Sequence, residues 1–358
     1  MRVVQLLSVL SRGDAVSNDC LAIHKMLLAQ GLDARLCVEK VLRKPDEEIA
    51  VEPIAFCDEL TDEDVAILHL STGCFMNKRF SLLTCKKAII YHNITPSRWF
   101  RDYDEQAYAS CLDGFLQTRA LSKRVDYVIA DSEFNRMNLM AKGFRCPIDV
   151  APILIPFEDY KAEPNQEIVN RYQGKPGANI LFTGRVAPNK CHEDVIKAFW
   201  AYKKHYDPNA RLFLVGAFNK TDRYGARLLG YVEDLDLDDV YFPGHIGFDE
   251  ILAYYKIADV FLCQSEHEGF CIPLVEAMMF DTPIVAYDST AVGETLGGAG
   301  ILLDEKDPFV TAGVMDRVVR DEGLRANILE GQRRRLEDFS YEKTSERLST
   351  LIRGFVGA

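Results

Sequence analysis

The sequence predicts an α/β protein built from two parallel-sheet domains. Short apolar runs alternate with longer helical patterns along the whole chain. A proline-flanked extended segment interrupts the alternation once, near the middle. The length, 358 residues, suits two domains better than one.

In the first half, strands are expected at 3–9, 33–38, 65–70, 87–92, 127–130 and 148–151. Their Val/Ile/Leu runs suit strands buried on both faces. The opening ten residues read as the first of these strands rather than as a secretion signal, because no small-residue cleavage site follows the short apolar run. Helical patterns are expected at 19–30, 107–121 and 132–142, the last capped by Ser132. The break falls at Ala151-Pro-Ile-Leu-Ile-Pro156, which places a first domain at 1–155 and a second at 156–340. The second series has strands at 178–183, 210–215, 240–242, 260–263, 283–286 and 300–303, with helices at 248–258 and 273–280. Two parallel-sheet domains with ligand chemistry at their strand ends imply a central cleft.

Composition narrows the function classes. Hydrophobic content of 48% and charged content of 27% are those of a globular protein, and no apolar run reaches membrane-spanning length. The net charge of −12 argues against a nucleic-acid partner. It is uneven: residues 1–155 hold 19 Lys and Arg against 21 Asp and Glu, and residues 156–358 hold 23 against 33. Ten scattered cysteines without a Cys-x-x-Cys pair suit a reduced, cytoplasmic compartment and suggest no metal cluster.

The most informative stretch is Gln264-Ser-Glu-His-Glu-Gly-Phe-Cys-Ile-Pro-Leu-Val-Glu-Ala-Met278. Glu268 and Glu276 have seven residues between them and lie between a strand end and the first turns of a helix. There, one carboxylate can hold sugar hydroxyls of a ligand and the other a ribose, with phosphate facing the helix N-terminus. A second motif runs Ile180-Leu-Phe-Thr-Gly-Arg-Val-Ala-Pro-Asn-Lys190. Arg185 and Lys190 beside the Gly184 turn suit a diphosphate, Arg as a fork and Lys as a point charge. Tyr241-Phe-Pro-Gly-His-Ile-Gly247 ends another strand. The loop Ser11-Arg-Gly-Asp-Ala-Val-Ser-Asn-Asp19 holds only Gly13, so it is no dinucleotide fingerprint, and Ser17 or Asn18 could cap the helix after it. Tyr91-His-Asn-Ile-Thr-Pro96 puts a polar cluster at the end of a buried strand. The basic stretch 77–87 could attract anionic lipid or be a solvated helix face, and the Arg and aromatic residues at 98–101 could touch a glycan or a lipid interface.

These motifs resemble family 4 of the retaining glycosyltransferases, with the GT-B fold of two Rossmann-like domains facing a central cleft. The Tyr91–Pro96 segment is similar to that of bacterial polysaccharide glycosyltransferases, many of them mannosyltransferases. The resemblance implies a nucleoside-diphosphate sugar as co-substrate, no other cofactor, and a glycan or lipid-linked acceptor. Arg185 and Lys190 would neutralise the leaving diphosphate without a metal, Glu268 would hold the donor sugar, and Glu276 the ribose. Gly269, Phe270 and Cys271 would face the phosphate, Ile246 the base, Gly13 the donor and acceptor, and His92 the transferred sugar. It further implies retention by front-face attack and a terminal helix, 341–358, returning to the first domain. GDP-mannose is the first donor expected, and weak peripheral contact with the inner face of a membrane is compatible. A nucleotide-sugar 2-epimerase and a non-catalytic donor-binding subunit are the alternatives.

Overall fold

The computed structural model describes residues 1–44 and 49–357. Two compact units emerge, one of residues 1–98, 105–156 and 339–358, the other of residues 99–104 and 157–338. The chain therefore crosses at Pro156, one residue past the expected boundary, and the short segment 99–104 groups with the second unit.

The first unit holds a seven-stranded parallel sheet. Its strands are β1 (Val3–Ser11), β2 (Ala34–Arg43), β3 (Glu52–Pro53), β4 (Val65–Leu70), β5 (Lys86–Tyr91), β6 (Tyr127–Ala130) and β7 (Ile148–Val150), in the order β3-β2-β1-β4-β5-β6-β7. Register is set at the inner pair, where Val3 lies opposite both Ala34 and Val65. The sheet is covered on both faces: Leu6, Leu68, Phe80 and Tyr91 pack in one layer, while Val3, Ile23, Ile67 and Ile90 pack in another. The terminal helix Tyr341–Val356 joins that second layer through Leu348, Ile352 and Val356. Its stripe recurs every four residues, the spacing that keeps one helix face toward a core.

The second unit holds six parallel strands: β8 (Asn179–Thr183), β9 (Arg211–Val215), β10 (Val240–Gly244), β11 (Val260–Cys263), β12 (Ile284–Tyr287) and β13 (Ile301–Leu303). Their order is β10-β9-β8-β11-β12-β13. The core runs from Phe182 and Phe213 through Tyr255 and Phe261 to Leu274 and Met315.

Each sheet reverses its strand order once, between β1 and β4 and between β8 and β11. Loops leaving the carboxyl ends of strands at such a reversal diverge and leave a crevice, the usual ligand position in open parallel sheets. The loops after β8 and β11 carry Gly184–Lys190 and Gln264–Cys271.

Two expectations are corrected. The first helix begins at Ala15 instead of 19, because Asp14, rather than Ser17 or Asn18, caps it by accepting from the Ser17 amide. The basic stretch 77–87 is not one element: a helix covers Phe75–Leu82 and β5 begins at Lys86.

Candidate active site

At the β8/β11 reversal, two loops are stitched together by backbone and amide contacts. The Glu266 amide donates to the Asn189 carbonyl at 3.0 Å, and the Asn189 side-chain amide donates to the His267 carbonyl at 3.0 Å. This registry brings Lys190 Nζ to 2.5 Å from Glu268 Oε1. The lysine side chain is 17% exposed and the glutamate 8%. Burial alone would lower the lysine pKa, but Glu268 more than offsets it, so the ammonium is held charged.

Glycine is required where β8 and β9 end together. Gly184 has φ +137° and Gly216 φ +152°. A Cβ on Gly216 would lie 2.0 Å from the Gly184 carbonyl oxygen. The turn after Gly184 presents an exposed Arg185, whose guanidinium lies 5.9 Å from the centre of the Phe100 ring. That aromatic face fixes a cation without taking its hydrogen-bond donors.

Glu276 sits on the helix Ile272–Met279. Its two oxygens each accept from a tyrosine hydroxyl at 2.6 Å, Oε1 from Tyr160 and Oε2 from Tyr255. The Tyr255 hydroxyl also lies 2.5 Å from Thr183 Oγ1 at the end of β8. Burial holds the Glu276 pKa above its ordinary value, and the two hydroxyls offset only part of that rise. Cys271 caps this helix in the left-handed conformation, φ +74°, with its side chain and that of Phe270 buried. Any ligand role for Cys271 falls to its backbone. Ile246 follows β10, the edge strand two places from β8, and is half-buried. Thus Lys190 and Glu268 meet directly, Arg185 and Glu276 share the strand ends with them, and Ile246 stands at the sheet edge.

Sequence reasoning missed the two tyrosines around Glu276, because Tyr160 lies 116 residues away in the chain. It also missed several buried polar atoms beside the motifs. Asn189 Oδ1 and both amide atoms of Gln264 have no hydrogen-bond partner among the described residues. Buried polar atoms of this kind cost free energy unless they are paired.

In the first unit, Gly13 is exposed with φ +79° in the loop after β1. The His92 imidazole is the middle of a buried chain. Its Nδ1 donates to Asp131 at 2.9 Å, and its Nε2 lies 2.9 Å from His69 Nδ1. His69 Nε2 in turn lies 2.9 Å from the Gln5 side-chain amide. Both nitrogens of His92 are therefore engaged within the unit, and its side chain is 1% exposed.

Asp19 stands 3.9 Å from His92 Nε2, which groups Asp19, His69 and His92 as potential metal ligands. The two rings, however, lie within 8° of coplanar with centres 5.2 Å apart. With a nitrogen separation of 2.9 Å, the ring nitrogens point at one another along a line, the geometry of a direct N–H···N bond. A second group, Cys191, Asp194 and Glu266, is filled by the Lys306 ammonium, 3.0 Å from Asp194 and 2.7 Å from Glu266.

The histidine chain has a consequence for stability. Burial lowers the His92 pKa, but Asp131 and Asp19 overcome this and push it up to about 8. Burial raises Asp19 to about 7. Both folded-state values exceed the unfolded ones, so the fold binds extra protons, and stability is lost as pH rises through about 7 to 8. Urea midpoints are expected to fall from about pH 6.5 to about pH 8.5, at no more than about 1.4 kcal/mol per pH unit for each extra proton bound. His92→Gln should flatten that slope. An equal slope in wild type and variant would place the titration elsewhere.

The two parallel-sheet Rossmann-like domains are the GT-B fold of solved glycosyltransferase structures. Residues 166–335 match the family model described as Glycosyl transferases group 1, a stretch that contains Arg185, Lys190, Ile246, Glu268 and Glu276. HepE from Anabaena, solved in complex with UDP and glucose, superposes with a TM-score of 0.78 at 16% identity, covering 99% of this chain and 100% of that one. The D-inositol 3-phosphate glycosyltransferase of Salinispora arenicola is 30% identical over 192 residues, 50% of this chain and 42% of that protein. The serotype-specific mannosyltransferase WbdA of Escherichia coli is 26% identical over 168 residues, 46% of this chain and 20% of that one. The chain thus spans less than half the length of these two relatives.

Proposed function

We propose that the chain is a retaining, metal-independent glycosyltransferase of family 4. It moves a hexose from a nucleoside-diphosphate sugar to a glycan or lipid-linked acceptor in cell-surface polysaccharide synthesis. The carrying observation is the Lys190–Glu268 pair at the β8/β11 reversal, with Arg185 beside it. The pair matches a ligand that is anionic at one end and rich in hydroxyls at the other. Lys190 and Arg185 stabilise negative charge as the diphosphate departs, which is electrostatic catalysis by preplaced cations. Glu268 holds donor sugar hydroxyls, and Glu276 the ribose. The acceptor attacks on the face the diphosphate leaves, and the leaving phosphate takes the acceptor's proton. Gly269, Phe270 and Cys271 contribute backbone to the phosphate side, Ile246 borders the base, and Gly13 borders the donor. His92 acts through its place in the buried chain.

The transferase names of the relatives favour transfer over 2-epimerisation. The mannosyl relative and the resemblance around His92 put GDP-mannose first, while the UDP complex of HepE keeps uridine donors in view. A thermal-shift screen against UDP-, GDP-, ADP- and dTDP-sugars tests this. A donor at about 100 times its Kd stabilises by about 2.7 kcal/mol, so one series should stand out. No shift with any of the four would remove the reading.

Activity is expected to survive EDTA, because two cations on the protein supply the charge that a metal would otherwise bring. Loss of transfer in chelator, restored by adding a divalent ion, would overturn the cation-pair account.

A further inference from the structure

Six non-glycine residues among those described have positive φ. Asn93, Asp236 and Asp281 are of the types that tolerate the left-handed region. The other three are not, and all three flank the Lys190–Glu268 pair. Cys191, φ +51°, follows Lys190, and Cys271, φ +74°, lies three residues past Glu268. Thr290, φ +48°, is hydrogen-bonded to Glu268 itself. Thr290 is the most strained of the three, because a β-branched side chain crowds its own backbone in that region. Such strain persists only where the surroundings impose it, and it gathers at functional sites.

Thr290 lies half-buried between β12 and the helix Val292–Leu296. Its Oγ1 accepts from the Glu268 amide at 2.9 Å. Two neighbours grip the same loop. The Ser289 hydroxyl donates to the Ser265 carbonyl at 2.6 Å, and the Thr295 hydroxyl donates to the Phe270 carbonyl. Three hydroxyls of one segment therefore hold the backbone at 265, 268 and 270, on both sides of the carboxylate residue. Lys190 holds the other end of Glu268, at its carboxylate. Glycine would take the Thr290 backbone without strain but offers no oxygen to the Glu268 amide. The strained threonine thus supplies a contact that the unstrained residue could not.

We infer that Thr290 is a positioning residue for Glu268. It fixes the main chain from which the carboxylate projects toward the sugar of the donor, and the fold carries local strain to do so. This role rests on the proposed function.

Three variants of the full chain test it. Thr290→Val keeps the size and the branching and removes the oxygen. Thr290→Gly removes the oxygen and the strain together. Thr290→Ser keeps the oxygen. Turnover is read as nucleoside diphosphate released from the nucleotide sugar that the thermal-shift screen singles out. Thr290→Val and Thr290→Gly should lower kcat by about tenfold or more, because a displaced carboxylate no longer meets the sugar. Thr290→Ser should stay within about threefold of wild type. Calorimetry with UDP and GDP should give affinities within about twofold of wild type for all three, since the free diphosphate lacks the sugar. Thr290→Gly should melt within about 3 °C of wild type, as relief of strain offsets the lost hydrogen bond. Its loss of kcat is then not a loss of fold. Full kcat in Thr290→Val, or an equal loss in Thr290→Ser, would overturn the inference. So would diphosphate binding weakened as much as kcat, which would mean general damage to the site. A wild-type chain that neither binds UDP or GDP nor turns over any nucleotide sugar would remove the proposed function, and this role with it.

Discussion

Lys190→Ala is expected to lower kcat by on the order of 10²-fold or more and to change donor KM far less. The ammonium is balanced by Glu268 at 2.5 Å. Charge that grows on a departing diphosphate draws the ammonium further, so its gain is realised mainly in the transition state. The substitution also strands a carboxylate that is only 8% exposed. Breaking a buried pair typically costs about 3–5 kcal/mol, so some loss of kcat could come from a weakened fold. The double variant Lys190→Ala/Glu268→Gln separates the two effects, because it removes the stranded charge and should recover stability without recovering kcat. A Lys190→Ala enzyme within about tenfold of wild type at saturating donor would remove the electrostatic role.

The second large effect separates the two glutamates. Glu276→Ala should raise donor KM more than it lowers kcat, because a ribose is held alike in ground and transition states. It also leaves the Tyr160 and Tyr255 hydroxyls without their acceptor, at about 1–3 kcal/mol for each group left unpaired. Tyr160→Phe keeps the carboxylate and removes one donor, so it should cost less than Glu276→Ala on both scales. Glu268→Ala should behave differently. In the proposed role Glu268 holds the donor sugar, and its loss frees Lys190 from its internal partner. Calorimetry with the free nucleoside diphosphate should therefore show affinity unchanged or tighter for Glu268→Ala and weaker for Glu276→Ala. Equal weakening in both variants would mean that the carboxylates do not divide the sugar and the ribose between them.

The strands were legible because they are apolar runs bounded by turns. Val65–Leu70 and Val260–Cys263 were located to the residue. β3 escaped notice because Glu52–Pro53 is two residues long at a sheet edge, where proline is tolerated and no pattern can form. The apolar face of the first helix points to a start at 19, four residues late, because the true start is set by one carboxylate, Asp14. Among the site residues, Lys190 and Glu268 could be chosen because motif spacing places both at strand ends. Their direct contact depends on the backbone stitch between Asn189 and Glu266, which no local pattern encodes. His69 lay unnoticed inside the run Val-Ala-Ile-Leu-His-Leu, since a lone histidine in an apolar strand looks like filler until its neighbour across the ladder is known.

The segment Trp99–Asp104 bears on how modular this protein is. The chain passes between its two compact units at four places: after residues 98, 104, 156 and 338. No single cut yields two whole halves. A fragment beginning at Phe157 would lack Phe100, which lies under Arg185, and Tyr103, which packs edge-on against Tyr224 at 5.1 Å. A fragment ending at Pro156 would lack the helix that closes one side of its sheet. A cassette exchange at the middle proline segment would therefore join two incomplete units. A working chimera has to carry residues 99–104 with the second unit and the terminal helix with the first.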